Sequence, residues 1–344
     1  MRHRSDQPGV RGQGAWEAIA VLLALALHLT VALPTSQAAA PLLRVQEDFA
    51  SDPFARDWQI AGEGSLFHWE AETGHLAVTW DSAMPNSYCY LPLGTFLTSD
   101  DDFRLEFTLT LDDIAVGTTT GKPWTFQIAL GFINVAQATS IPFVRGTGVD
   151  SPNLVEWDYF PDSGFGATVA AAMVSETNAW ATSFNVLQPE DDLHPGGAYG
   201  FVLNYRAATH ELGVEMVVGE QKLPLQSARI REPFGDYAVD ALAISSYSDA
   251  GQDPGWSGSV LAHGRIDRIV LDLPPPPVRR FGGGFVDGAW RAEFTGWLGW
   301  EYTLEVSPNL RAWSAVDGPS HGTGRRQALV DPQPAPDRAF YRIR

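Results

Sequence analysis

The stretch of this 344-residue chain best equipped for chemistry reads Leu154-Val-Glu156-Trp-Asp158-Tyr-Phe-Pro-Asp162. Written as a β-strand, it points Glu156 and Asp158 to one face and Val155, Trp157 and Tyr159 to the other. Two carboxylates on one face can do general acid–base or nucleophilic work on a glycosidic bond. A retaining pair must stand about 5–5.5 Å apart. Residue 160 is Phe and 161 is Pro. The next carboxylate, Asp162, lies up to about 20 Å from Glu156 along an extended strand. The same side chains can instead bind sugar hydroxyls without catalysis, or be ordinary polar residues on the outward side of a strand.

Binding needs less than catalysis. Sugars present apolar ring faces and hydroxyls, so exposed aromatic rings beside carboxylates suffice. The chain has 12 Trp, 9 Tyr and 18 Phe. Candidates for a glycan-binding face are Trp124 after the Gly121-Lys-Pro123 turn, Trp180, Trp256 in a Gly/Asp loop, and Glu156 with Asp158. Trp157 shares the Val155 face and is expected in the core. Other motif-like strings fail. His210-Glu-Leu-Gly-Val-Glu215 lacks the second His of a zinc protease helix, and Gly117–Pro123 lacks the spacing and the Ser/Thr of a phosphate loop. No Gly-x-Ser-x-Gly elbow exists. The lone Cys89 excludes an intramolecular disulfide framework and a Cys-rich zinc site; it reads as a small buried hydrophobe.

The elements that must position these residues are strands. Leu76, Val78 and Trp80 share one parity, as do Phe103, Leu105, Phe107, Leu109 and Leu111, and Phe126, Ile128, Leu130 and Phe132. Tyr199, Phe201, Leu203 and Tyr205 follow, then Leu212, Val214, Met216 and Val218. Turn-like clusters such as Pro195-Gly-Gly197 separate the runs. One apolar face per strand is what a two-sheet sandwich requires, so the fold class is all-β. Asp100-Asp-Asp102 and Glu190-Asp-Asp192 read as solvated turns.

Composition sets the frame. Hydrophobic residues make up 44%, enough for a sizeable core, and the net charge of −18 speaks against a nucleic-acid partner. The N-terminus carries Arg2, Arg4 and Arg11, then the apolar run Ala18–Leu33, then a small-residue exit ending at Ala40. This is the pattern of a cleaved secretory signal peptide, with a retained anchor as the competing reading. Residues 41–274 hold 11 basic and 32 acidic residues, a net of −21, whereas 275–344 hold 9 and 7, a net of +2. The changeover falls at Leu273-Pro-Pro-Pro-Pro277, followed by Phe281-Gly-Gly-Gly284. The expected organisation is a signal peptide over 1–40, a sandwich over 41–273, a Pro/Gly linker over 274–284 and a small β module over 285–344. Nothing after residue 40 is apolar enough to span a membrane, so the mature protein is expected outside the cytoplasm, secreted, periplasmic or at the cell surface.

Several segments carry a family resemblance. Glu47-Asp-Phe49, Asp52-Pro53 and Trp58 open the domain; Leu76–Asp81 and Pro85–Tyr88 follow; Tyr199–Tyr205 leads into Leu212–Val217; Asp240–Ser245 leads to Gly264–Val270. Their order resembles the concanavalin A-like lectin/glucanase (LamG-like) jelly rolls of secreted bacterial proteins. The resemblance implies a two-sheet jelly roll, and its family includes lectins, glycan-binding modules, hydrolases and lyases. In laminarinase- and agarase-like members a Glu-x-Asp-x-x-Glu strand is catalytic. Glu156 would match the nucleophile and Asp158 the helper, while the acid position does not match. Related sandwiches often bind a structural calcium between first and last strands, where Glu47, Asp48 and Asp267 lie. The leading expectation is a non-catalytic carbohydrate-binding or surface-interaction protein with a polysaccharide partner. The alternatives are a glycan-degrading enzyme using Glu156 and Asp158, and a structural envelope component.

Overall fold

The structure, a computed structural model, describes residues 43–140, 151–219, 221–231, 235–252, 255, 257–274, 278–296, 300–323, 325–335 and 339–344. The signal-peptide reading of residues 1–40 therefore lies outside the described residues, as do Trp256 and Pro275–Pro277.

Strands dominate, as the period-two parity requires. In chain order they begin with β1 (Leu43–Glu47), β2 (Gln59–Ala61), β3 (Phe67–Glu70), β4 (His75–Asp81) and β5 (Ser87–Thr98). The long β6 (Phe103–Val116) and β7 (Ile128–Ile133) precede a single helical turn, α1 (Val135–Ala138), capped by the Asn134 side chain. Then come β8 (Leu154–Phe160), β9 (Thr168–Val174), β10 (Trp180–Val186), β11 (Ala198–Arg206) and β12 (Glu211–Val218). The sandwich closes with β13 (Gln221–Pro224), β14 (Ala228–Arg229), β15 (Ala238–Ser246) and β16 (Val260–Leu273).

These strands form two antiparallel sheets. One has nine strands, in the order β13-β12-β11-β6-β16-β4-β3, with β1 also on β16 and β14 also on β12. The other has seven, in the order β10-β9-β8-β7-β15-β5-β2. Runs of consecutive strands, β7 to β10 and β11 to β13, are joined to distant ones: β6 pairs with β11 and β16, and β15 with β5 and β7, as in a jelly roll. The residues read as one parity line the core between the sheets: Leu76, Val78 and Trp80 from β4, and Phe103 through Leu111 from β6. Aromatic rings bridge the two layers. Trp157 of β8 meets Phe107 of β6 edge-on at 5.2 Å and Phe201 of β11 at 4.5 Å, and Phe132 of β7 meets Phe103 at 4.8 Å. Trp157 is thus the core residue that its parity with Val155 predicts. The architecture is a two-sheet antiparallel β-sandwich, the all-β class that the strand parity predicts.

The last strand of the sandwich ends at Leu273. The glycine run of the expected linker does not stay irregular. It lies inside β17 (Arg279–Val286), which pairs with β18 (Ala289–Thr295). The physical reason is Trp290: a Cβ on Gly283 would sit 2.2 Å from its indole ring, so glycine there lets the ring lie against the strand. With β19 (Glu301–Ser307), β20 (Ser314–His321), β21 (Arg326–Asp331) and β22 (Phe340–Ile343), the tail forms two three-stranded sheets, β17-β18-β21 and β20-β19-β22. Ala292, Phe294, Tyr302, Leu304 and Leu329 are buried there, and Trp290 stacks on Tyr341 at 3.7 Å.

Candidate functional site

Strand register places the candidate residues. Across the seven-stranded sheet, Tyr88, Ser245, Ala129, Asp158, Ala170 and Phe184 form one row. Tyr90, Ala243, Gly131, Glu156, Ala172 and Thr182 form the next. Because Val155, Trp157 and Tyr159 face the core, both rows lie on the outer face, turned away from the nine-stranded sheet. The centre of each row is Gly, Ala or Ser, so Glu156 and Asp158 rise from a floor of small side chains. Gly131 is required beside Glu156, since a Cβ there would stand 2.4 Å from the Glu156 Cα.

The two carboxylates do not face solvent. Glu156 is 1% exposed and Asp158 2%. Tyr247, which follows β15, donates its hydroxyl to Glu156 Oε2 at 2.7 Å. Its ring packs edge-on to Tyr88 at 6.0 Å, and Tyr88 in turn donates to the Ala138 carbonyl of α1. Pro161 holds the position where the acid of a Glu-x-Asp-x-x-Glu strand would stand. Asp162 is exposed and caps its own turn, accepting from Gly164 N at 3.0 Å. Both carboxylates are therefore buried on this face, with the Tyr247 hydroxyl packed against Glu156.

The exposed aromatic surface lies two strands away, on edge strand β10. Its sequence, Trp180-Ala-Thr-Ser-Phe-Asn-Val186, has an apolar parity of Trp180, Phe184 and Val186. The usual rule would bury that parity. The register does the reverse: Ser183 pairs with Ala171 on the core side, and Phe184 pairs with Ala170 on the outer side. Trp180 is 47% exposed and Phe184 51%, with their rings edge-to-face at 6.2 Å. Phe160 of β8 adds a third ring, 6.4 Å from Phe184. Sequence reasoning named Trp180 but not Phe184 or Phe160; parity gave no signal for them, since the polar Ser183 and Asn185 lie on the opposite parity.

Trp124 is 53% exposed and stands at the end of the sheet where β8 and β15 finish and β7 begins. Its loop is fixed from beneath. Trp124 N donates to the Ser257 carbonyl, and Ser259 N donates to the Trp124 carbonyl. Lys122 Nζ donates to the Asp249 carboxylate at 2.5 Å and to its carbonyl, while Thr119 and Ser82 hydroxyls donate to the other carboxylate oxygen at 2.8 and 3.1 Å. The polar side chains thus tie the β6–β7 loop to the β15–β16 loop. Trp124 and the Trp180 platform are separate features on different parts of the sheet, and Trp256 lies outside the described residues.

Glu47, Asp48 and Asp267 are not brought together. Glu47 is buried on the core side, where it accepts from Phe49 N at 2.7 Å, Arg56 Nη2 at 2.9 Å and Trp58 Nε1 at 3.0 Å. Asp48 is exposed and caps Ala50 N. Asp267 lies at a bulge of β16 and bonds Arg265 and Thr110 on the outer face. Among the described residues no group of three or more His, Cys, Asp or Glu side chains is placed to hold a metal ion. Cys89 is buried, and desolvation pushes its thiol pKa up, so it stays protonated.

No family model and no curated protein matches the sequence. Solved structures similar to it include the Lotus tetragonolobus seed lectin, at 11% identity and a TM-score of 0.45, covering 67% of this chain and 98% of that one. Peanut lectin with a 9mer peptide is similar at 12% identity and a TM-score of 0.44, covering 68% and 98%. The legume lectin-like domain from Entamoeba histolytica is similar at 10% identity and 0.38, covering 66% and 95%.

Proposed function

We propose that this chain is an exported, non-catalytic carbohydrate-binding protein whose sugar-stacking surface is the Trp180–Phe184–Phe160 platform. The observation that carries the reading is the inversion of β10. An edge strand that turns Trp180, Phe184 and Val186 to solvent, and Ser183 to the core, forgoes burial of about 1.5–3 kcal/mol for each large apolar side chain. Such a cost is kept where the exposed rings have something to stack on, and flat aromatic faces match the apolar faces of pyranose rings. The basic start, apolar run and small-residue exit of residues 1–40 support export. The cover over Glu156 and the turn-bound Asp162 support binding over hydrolysis.

The test is an array of soluble and insoluble polysaccharides probed with the mature chain. Binding is expected, weakened at least tenfold in Trp180→Ala and Phe184→Ala and unchanged in Trp313→Ala of the C-terminal module. Absence of affinity for every glycan overturns the reading and favours a structural envelope role. Release of reducing sugar that Glu156→Gln abolishes would make the chain an enzyme instead.

A further inference from the structure

A cavity lies on the other side of the sandwich from the aromatic platform. Across the nine-stranded sheet, register aligns Arg44, Asp272, Arg104, Asn204 and Gly213 in one row. Gln46, Val270, Glu106, Val202 and Glu215 form the next. Leu105, Leu203, Val214 and Leu271 face the core, so both rows lie on the outer face of this sheet. There Asp102, Arg104, Asn204, Arg206, Glu215 and Asp272 line an open cavity of about 320 Å³, a size at the lower end of small-molecule sites.

Much of the charge around it is already paired. Arg44 clasps Asp272 with two hydrogen bonds, at 2.8 and 3.0 Å. Arg104 meets Glu106 at 3.0 Å, and Asp102 accepts from Ala207 N at 2.7 Å. Asn204, at the centre, and Glu215, on the neighbouring strand, are partly exposed. Among the described residues neither side chain has a hydrogen bond or ion pair. Opposite Asn204 stands Gly213, where a Cβ would lie 3.3 Å from Asn204 Oδ1. Glycine weakens the interior of a strand and marks a place of close approach. Here it leaves room for the Asn204 amide on the cavity floor.

We infer that this cavity is a second ligand site, for a short, uncharged, hydroxyl-rich saccharide, and that it works apart from the aromatic platform. A sugar hydroxyl both donates and accepts, an amide does both, and a carboxylate only accepts. Neighbouring hydroxyls therefore donate to Glu215 and Asn204 Oδ1 and accept from Asn204 Nδ2, with the exposed Arg206 a further donor. The paired Arg104 and Asp272 leave neither sign in excess to favour an ionic ligand. Glu215 stands opposite Val202, and Arg206 lies four positions further along β11, about 13 Å away. A ligand that reaches both is longer than one sugar ring. With the platform on the other sheet, one chain holds saccharides on two opposite faces.

The experiment titrates the isotope-labelled mature chain with maltotriose, cellotriose and mannotriose, each to about 10 mM, and reads the backbone amide signals of residues 204–206 by NMR. Saturating shifts are expected with at least one of the three. Gly213→Ala crowds the Asn204 amide, and Asn204→Leu keeps its size without its polar atoms. Each should weaken that binding about fivefold, the loss of one hydrogen bond, while Trp180→Ala leaves it unchanged. Trigalacturonate and a glucosamine trimer should bind more weakly than the neutral probe. No shift with any neutral probe, or a shift that Asn204→Leu leaves at full affinity, overturns the second site. Tighter binding of either charged trimer overturns the uncharged class, and loss of the shifts in Trp180→Ala overturns the separation from the platform. The platform reading is decided separately, by the polysaccharide array.

Discussion

Lys122 and Asp249, 127 positions apart in the chain, form a partly buried ion pair with an Nζ–Oδ1 distance of 2.5 Å. The side chain of Asp249 is 7% exposed and that of Lys122 24%. Removing one partner leaves the other charge short of solvent, at a cost of about 3 kcal/mol. Lys122→Met should lose that much stability in urea denaturation. The double variant Lys122→Met/Asp249→Asn should cost less than the sum of the two single changes, because the second change removes the stranded charge. Additive losses would show that the pair is not coupled.

Gly131 faces Glu156 across β7 and β8 with no room for a side chain. Gly131→Ala must push the central strands of the sheet apart, and about 2 kcal/mol of destabilisation is expected. Gly284→Ala is the control. It also lies in a strand, but nothing stands within 4 Å of its Cβ, so a change of under about 1 kcal/mol is expected. Denaturant midpoints of the two variants check the contrast.

Tyr247 holds Glu156 by a hydroxyl in a buried setting. Tyr247→Phe keeps the ring against Tyr88 and removes the donor, so a loss of about 1–3 kcal/mol is expected. If the bond is the cause, Glu156→Gln in the Tyr247→Phe background recovers part of the loss, since a buried neutral amide needs less compensation than a carboxylate. A thermal-unfolding series over the four proteins reads this directly.

Alkaline pH should act on two tyrosines. Burial, with the Asp331 hydrogen bond second, pushes Tyr341 up to about 12; burial, with Asp100 and Asp102 second, pushes Tyr205 up to about 12. Both values lie above the ordinary tyrosine value of about 10. Each ring thus favours the fold while neutral. That contribution is whole below about pH 10 and is lost as pH rises toward 12. Tyr159 and Tyr237 are pushed higher still by burial and should ionise only on unfolding. A spectrophotometric phenolate titration should show a delayed class, and Tyr341→Phe should remove one equivalent from it.

The fold was legible wherever one parity of a strand is uniformly large and apolar. Leu105, Phe107 and Leu109 leave no alternative to a core-facing row, and the structure buries them. The strand order was not legible, because pairing β6 with β11 and β16, or β15 with β5, joins segments about 100 or more residues apart that only folding brings together. Edge strand β10 shows where parity fails. Its large residues point outward because Ala181 and Ser183 fit the space beside the core, and no local pattern reveals which side of an edge the core occupies. Lys122 lies in a turn with no acidic neighbour in the sequence, and only the fold brings Asp249 to it. Trp180 could be nominated from its type, while Phe184 and Phe160 became visible as its companions only through ring distances.

The single thiol, Cys89, is sealed in the core between strands that never leave it open to solvent. The folded chain is therefore silent toward maleimide reagents. A cysteine introduced at Val186, on the outer face of β10, would be the only position to take a dye, with no background to subtract. A fluorophore there would sit two residues from Phe184 on the same face and report directly on whatever settles over the platform.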